Sequence, residues 1–98
     1  MLAIEPEQLV EIQAILAKHL PQGVSVGVFG SRAGGNPKPW SDLDLVLEGA
    51  GPLPLSLIGA LAEAFDESAL PWKVDVVDRN AVTPAFARII DATRRELI

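Results

Sequence analysis

Leu9, Ile12, Ile15, Leu16 and Leu20 recur at three- and four-residue intervals, the spacing that lays apolar side chains along one stripe of a helix. Pro6 suits the first turn of that helix. Lys18 and His19 fall near its C-terminal end, where the backbone dipole favours cations, and Pro21 with Gly23 stop it. This reads His19 as a terminal helical residue rather than a ligand. Val24–Phe29 then alternates with period two and is rich in β-branched side chains, which predicts a strand. Gly30–Trp40 carries three glycines and two prolines, so it is a turn followed by a loop. Asp42–Leu47 is a second strand, and Gly49–Pro54 is another break. Leu57, Ile58, Leu61, Ala62 and Phe65 give a helical stripe over Leu55–Phe65, and Trp72–Val77 is a third strand. Thr83 has the character of an N-cap with Pro84 at the first helical position. Phe86, Ile89, Ile90, Thr93 and Leu97 then form one face of a closing helix.

The predicted order is α-β-β-α-β-α, without an internal repeat or a low-complexity segment. The second and third strands, linked by a helix, suit a crossover unit with parallel strands. The expected fold is α/β (α+β): a small mixed β-sheet with helices packed mainly on one face. Residues 1–98 are expected to form a single domain. At 49% hydrophobic residues the chain is rich in apolar side chains for its size, which suits a dense core or a face kept for a partner.

Charge and residue usage narrow the chemistry. A formal net charge of −5 argues against electrostatic capture of nucleic acid, and no affinity for membranes is expected. The absence of Cys excludes disulfides, thiolate catalysis and Cys-ligated zinc, and a single His excludes His-rich metal sites. The acidic start has no signal-peptide pattern, and a cytoplasmic location is expected.

Candidate chemistry gathers in Gly30–Asp44. A glycine ending a strand lets backbone N–H groups approach an anion, and Ser31 adds a hydroxyl donor, so the pair suits a phosphate. Asp42 and Asp44 are two apart on a strand and share a face. Their repulsion is relieved by a hard cation such as Mg²⁺ or Mn²⁺; the bland alternative is a solvated strand edge. Asp75 lies within an apolar strand, where an unpaired charge is costly. If that strand lies beside the second, three carboxylates meet, which describes a two-metal phosphoryl- or nucleotidyl-transfer site. Asp78 reads as a turn residue, Trp40 as a loop anchor and Trp72 as core. Arg88, Arg94 and Arg95 read as a solvated face of the last helix.

Gly30-Ser31-Arg32-Ala33-x-Gly35, followed by Ser41-Asp42-x-Asp44-Leu45 and later Val74-Asp75-Val76-Val77, resembles the signature of the DNA polymerase β-type nucleotidyltransferases. In detail it is similar to their minimal members, the MNT proteins paired with HEPN-domain toxins. The resemblance implies that Gly30 and Ser31 bind the β- and γ-phosphates of a nucleotide, and that Asp42 and Asp44 hold both metal ions. Asp75 would complete the site of the ion that activates the nucleophile and draw the acceptor's proton. Arg32 is expected either to contact a phosphate or to form a surface salt bridge. Gly34 stands where many relatives carry arginine, and Asn36 where aspartate is frequent.

The resemblance further implies an ATP- and Mg²⁺-dependent transfer of AMP to a tyrosine of a HEPN toxin, a predicted RNase, by its antitoxin. This chain has no Tyr, so an acceptor tyrosine must come from another chain, and a hetero-oligomer or homodimer is expected. With no second domain expected in 98 residues, the acceptor is presented by a partner. Two alternatives stay open: an antitoxin that neutralises by binding alone, and a transferase acting on a small molecule such as an antibiotic.

Overall fold

The first helix, α1 (Pro6–His19), begins where Gln8 Oε1 accepts the Glu5 backbone N–H at 2.9 Å, with Pro6 in the first turn. In this computed structural model, which describes residues 2–97, it is followed by β1 (Ser25–Phe29), a 3₁₀ turn at Gly30–Ala33 and β2 (Leu43–Glu48). Next come α2 (Leu55–Asp66), β3 (Val74–Asp78), a 3₁₀ turn at Arg79–Ala81, α3 (Pro84–Thr93) and a short β4 (Arg95–Glu96). As the sequence predicts, α3 is capped by Thr83, whose hydroxyl accepts the Phe86 N–H at 3.2 Å.

The four strands lie in the order β3-β2-β1-β4. β1 pairs antiparallel with β2 and with β4, while β2 and β3 run parallel across the α2 crossover. Alternation sorts the side chains. Val26, Val28, Leu43, Leu45 and Leu47 form one face and meet Ile12 and Leu16 of α1 and Leu61 and Phe65 of α2. Each such side chain, fully buried, is worth about 1.5–3 kcal/mol. On the other face Phe29 and Val46 meet Ile90 of α3, with Val77 and Val82 at the margin. Two of the three helices therefore share a face. β2 is covered on both sides, and this is why its sequence is a nearly continuous apolar run.

The end of the chain differs from expectation. Helical spacing through Leu97 predicts one closing helix, yet α3 stops at Thr93 and the chain turns extended at Arg94. Gly27 and Val28 pair with Glu96 and Arg95, and Leu97 N–H donates to Val26 O at 2.7 Å. The reason is the edge of β1, whose N–H and C=O groups need partners that a helix does not offer. Leu97 then joins the first core rather than a helix face.

Arg94 and Arg95 consequently do not form a solvated helical face. The Arg94 side chain is only 12% exposed; its Nη1 donates to Glu48 Oε1 at 2.6 Å and its Nη2 to Ser25 Oγ at 3.2 Å. Its Nε lies 2.6 Å from Glu96 Oε1 but is not aligned for a hydrogen bond. Gly27 leaves room for it, since a Cβ there would stand 2.9 Å from Arg94 Nε.

Candidate active site

The candidate site forms where β2 and β3 begin. Register sets Asp44 opposite Asp75 across the parallel pair, so both carboxylates leave the same face of the sheet, away from α1 and α2. Asp44 is half-buried, the Asp75 side chain is 41% exposed, and Asp42 is exposed just ahead of the strand. Burial pushes the Asp44 carboxyl above its ordinary value, and the charges of Asp75 and then Asp42 push it further. Like charges thus reach Asp44 from both neighbours. Lys73 Nζ, 3.5 Å from Asp75 Oδ1, is a mostly exposed ion pair that offsets little of this.

Among the described residues, no group of three His, Cys, Asp or Glu side chains is placed to hold a metal ion. The donors nonetheless fit a hard divalent cation: they are carboxylate oxygens whose mutual repulsion such an ion relieves. Asp42 lies outside the strand ladder, just ahead of β2.

The glycine turn is built against this pair. Phe29, the last residue of β1, is the register partner of Asp44, and Gly30 follows with φ +76. A Cβ on Gly30 would stand 2.6 Å from Asp44 Oδ2, so the backbone angle favours glycine and any side chain there would displace the Asp44 carboxylate. The Gly30 N–H is already engaged, donating to Thr93 Oγ1 at 3.0 Å. Beyond the turn, Gly30, Ser31, Gly34, Gly35, Thr93 and Arg95 line an open pocket of about 640 Å³. Gly30 therefore separates the carboxylates from a space large enough for phosphates.

Arg32 takes neither of its expected places. It is 6% exposed, and its guanidinium donates to the carbonyls of Ala3, Lys38, Pro39 and Ser41 at 2.9–3.3 Å. It also lies 4.6 Å from the ring centroid of buried Trp72. A loop without ladder partners needs donors for its carbonyls, and five N–H groups in one planar fork supply them. Arg32 therefore holds the loop that delivers Asp42. Trp40, expected as that loop's anchor, is 73% exposed. Asp78 caps a turn as predicted, accepting from Asn80 N–H at 3.0 Å, and also ties down Leu53 N–H at 2.7 Å.

The nucleotidyltransferase domain model matches residues 9–98, a span that includes the glycine turn and all three carboxylates. The chain belongs to the nucleotidyltransferase domain family. This nucleotidyltransferase is 40% identical to the probable protein adenylyltransferase MntA of Haemophilus influenzae, over 91% of its own length and 77% of that protein. Its fold is similar to that of a toxin-antitoxin crystal structure with AMP-PNP, with a TM-score of 0.76 at 24% identity over 92% of this chain and 72% of that one. It is also similar to a chain in the complex of tri-AMPylated Shewanella oneidensis HEPN toxin with MNT antitoxin. There the TM-score is 0.61 at 21% identity, covering 92% and 68% of the two chains.

Two residues that hold the glycine turn carry no signal in the sequence: Thr93, which receives the Gly30 N–H, and Arg95, whose Nε donates to Ala33 O at 2.6 Å. Both lie some sixty residues from the turn they hold, at the point where a continued helix was expected.

Proposed function

We propose that this nucleotidyltransferase moves AMP from ATP to a tyrosine hydroxyl of a partner HEPN toxin and acts as the antitoxin of that pair. The observation that carries the reading is the pairing of Asp44 with Asp75 across β2 and β3, with the Gly30 turn pressed against Asp44. The named activity of the Haemophilus influenzae relative supports a protein acceptor, and the AMPylated HEPN toxin in a complex of similar fold supports its kind.

Asp42, Asp44 and Asp75 would hold Mg²⁺, which when bound neutralises triphosphate charge and acidifies an acceptor hydroxyl. The rest falls to the chain's own groups. Ser31 donates its hydroxyl to a phosphate oxygen, and the Gly30–Ala33 turn keeps the triphosphate beside Asp44. Asp75, facing Asp44 across the strand pair and 41% exposed, accepts the tyrosine proton. The phenolic oxygen attacks the α-phosphorus, one P–O bond forms, and the bond to the outgoing pyrophosphate breaks.

The test is co-expression with a candidate HEPN toxin, purification and intact-mass measurement, followed by incubation with α-labelled ATP and Mg²⁺. Label on the partner and mass steps of one AMP are expected, with both lost in Asp42→Asn and Asp44→Asn. Protection of cells by an unlabelling Asp42→Asn variant would instead favour neutralisation by binding alone. Label on an aminoglycoside-type antibiotic and none on protein would favour a small-molecule acceptor.

A further inference from the structure

A triphosphate lying in the pocket beside Gly30 brings about four negative charges next to three carboxylates, so the pocket wall needs a cation of its own. Arg32 is spent on the loop carbonyls beneath the site. Arg94 is committed to Glu48, Glu96 and Ser25. Arg95 is different. It lines the pocket with Gly30, Ser31, Gly34 and Gly35, and among the described residues no carboxylate lies within salt-bridge distance of it.

Its geometry is set for a ligand. β4 pairs Arg95 with Val28, next to the strand end from which the phosphate turn departs. Nε donates to Ala33 O at 2.6 Å, which fixes the guanidinium against the turn while its terminal nitrogens stay available. Nη2 lies 3.8 Å from the point where a side chain on Gly34 would begin. The guanidinium therefore lies against the backbone of Gly34. Asp44 meets the turn at Gly30 and Arg95 meets it at Ala33.

We infer that Arg95 is the donor-phosphate receptor of this nucleotidyltransferase: its planar fork binds the β- and γ-phosphates of the nucleoside triphosphate and holds the pyrophosphate as it leaves. The α-phosphorus then lies toward Gly30, the residue of the turn that meets Asp44. The inference rests on the nucleotide-transfer reading above and assigns its donor half to a residue of the last strand.

The experiment is calorimetric titration of the full chain with AMP-PNP and Mg²⁺, and separately with AMP, for the wild type and Arg95→Gln. Loss of a charge-assisted, two-point contact is expected to weaken AMP-PNP binding about 10-fold or more. AMP, which lacks the two phosphates, is expected to lose no more than about twofold. R95K keeps a charge and can still bond Ala33 O, so it serves when the Gln variant does not fold; it is expected to lose affinity for AMP-PNP only. Equal losses for both nucleotides would mean that Arg95 merely braces the turn, and unchanged AMP-PNP affinity would mean that it faces no phosphate. Either result overturns the assignment, as does a wild type that binds no AMP-PNP. A wild type that binds AMP-PNP in an Arg95-dependent way but labels no protein defeats the proposed function and leaves this assignment standing.

Discussion

Asp44 occupies space that only a glycine at position 30 leaves free, beside two carboxylates that repel it. Because its folded-state pKa is raised, the neutral form is favoured in the folded chain. The associated stability is full below the ordinary aspartate range and is lost as pH rises through the raised value. In metal-free buffer the melting temperature is therefore expected to fall across that window, and Asp44→Asn should flatten the fall while abolishing AMP transfer. Thermal melts from pH 3 to 8 check this. Gly30→Ala meets both a positive φ and an oxygen at 2.6 Å, so a loss of about 1–3 kcal/mol is expected by urea titration. Arg32→Ala should cost about 2–3 kcal/mol, because it strands the carbonyls of Ala3, Pro39 and Ser41, while Lys38 O keeps the Ser41 N–H. Arg32→Lys is not expected to restore it, since an ammonium cannot span four acceptors from one plane.

At the scale of elements, the junction between α3 and β4 decides the shape of the site. Thr93→Val removes the acceptor of the Gly30 N–H without changing volume, and about 1 kcal/mol should be lost. Faster hydrogen exchange at the Gly30 amide is the direct readout, and Thr93→Ser should restore its protection. This junction is also where reading the pattern fails. Thr93-Arg94-Arg95-Glu96-Leu97 carries no Gly or Pro to end a helix, and Leu97 keeps helical spacing from Thr93. The strand forms because β1 offers an unpaired edge, a condition set by residues almost seventy positions away. The earlier elements were legible for the opposite reason. The stripes of α1 and α2, the alternation of β1 and the Thr83-Pro84 cap are local, and the structure shifts their ends by only one or two residues.

For the whole molecule, the central strand joins core and chemistry. Leu45 is fully buried one residue beyond Asp44, so Leu45→Ala should cost about 2–5 kcal/mol. For a domain of this length that lowers the melting temperature by roughly 4–8 °C per kcal/mol. The sheet order β3-β2-β1-β4 gathers four chain segments around the glycine turn: the turn itself after β1, the carboxylates of β2 and β3, and the arginine of β4.

The sequence by itself determined the three helices, the three longer strands and their order, because amphipathic period and capping act over a few residues. It also singled out Gly30, Ser31, Asp42, Asp44 and Asp75, since a glycine turn and acidic residues inside apolar strands are anomalies visible without a fold. Only the tertiary structure decided that Asp44 faces Asp75, that Arg32 lies beneath its loop, and that Thr93 and Arg95 close on the turn from the far end of the chain. Hydrogen bonds to backbone groups leave no mark on residue spacing. Arg32, Arg94 and Arg95 carry the same side chain, and their different duties follow from which carbonyls, carboxylates or open space the folded sheet sets before each.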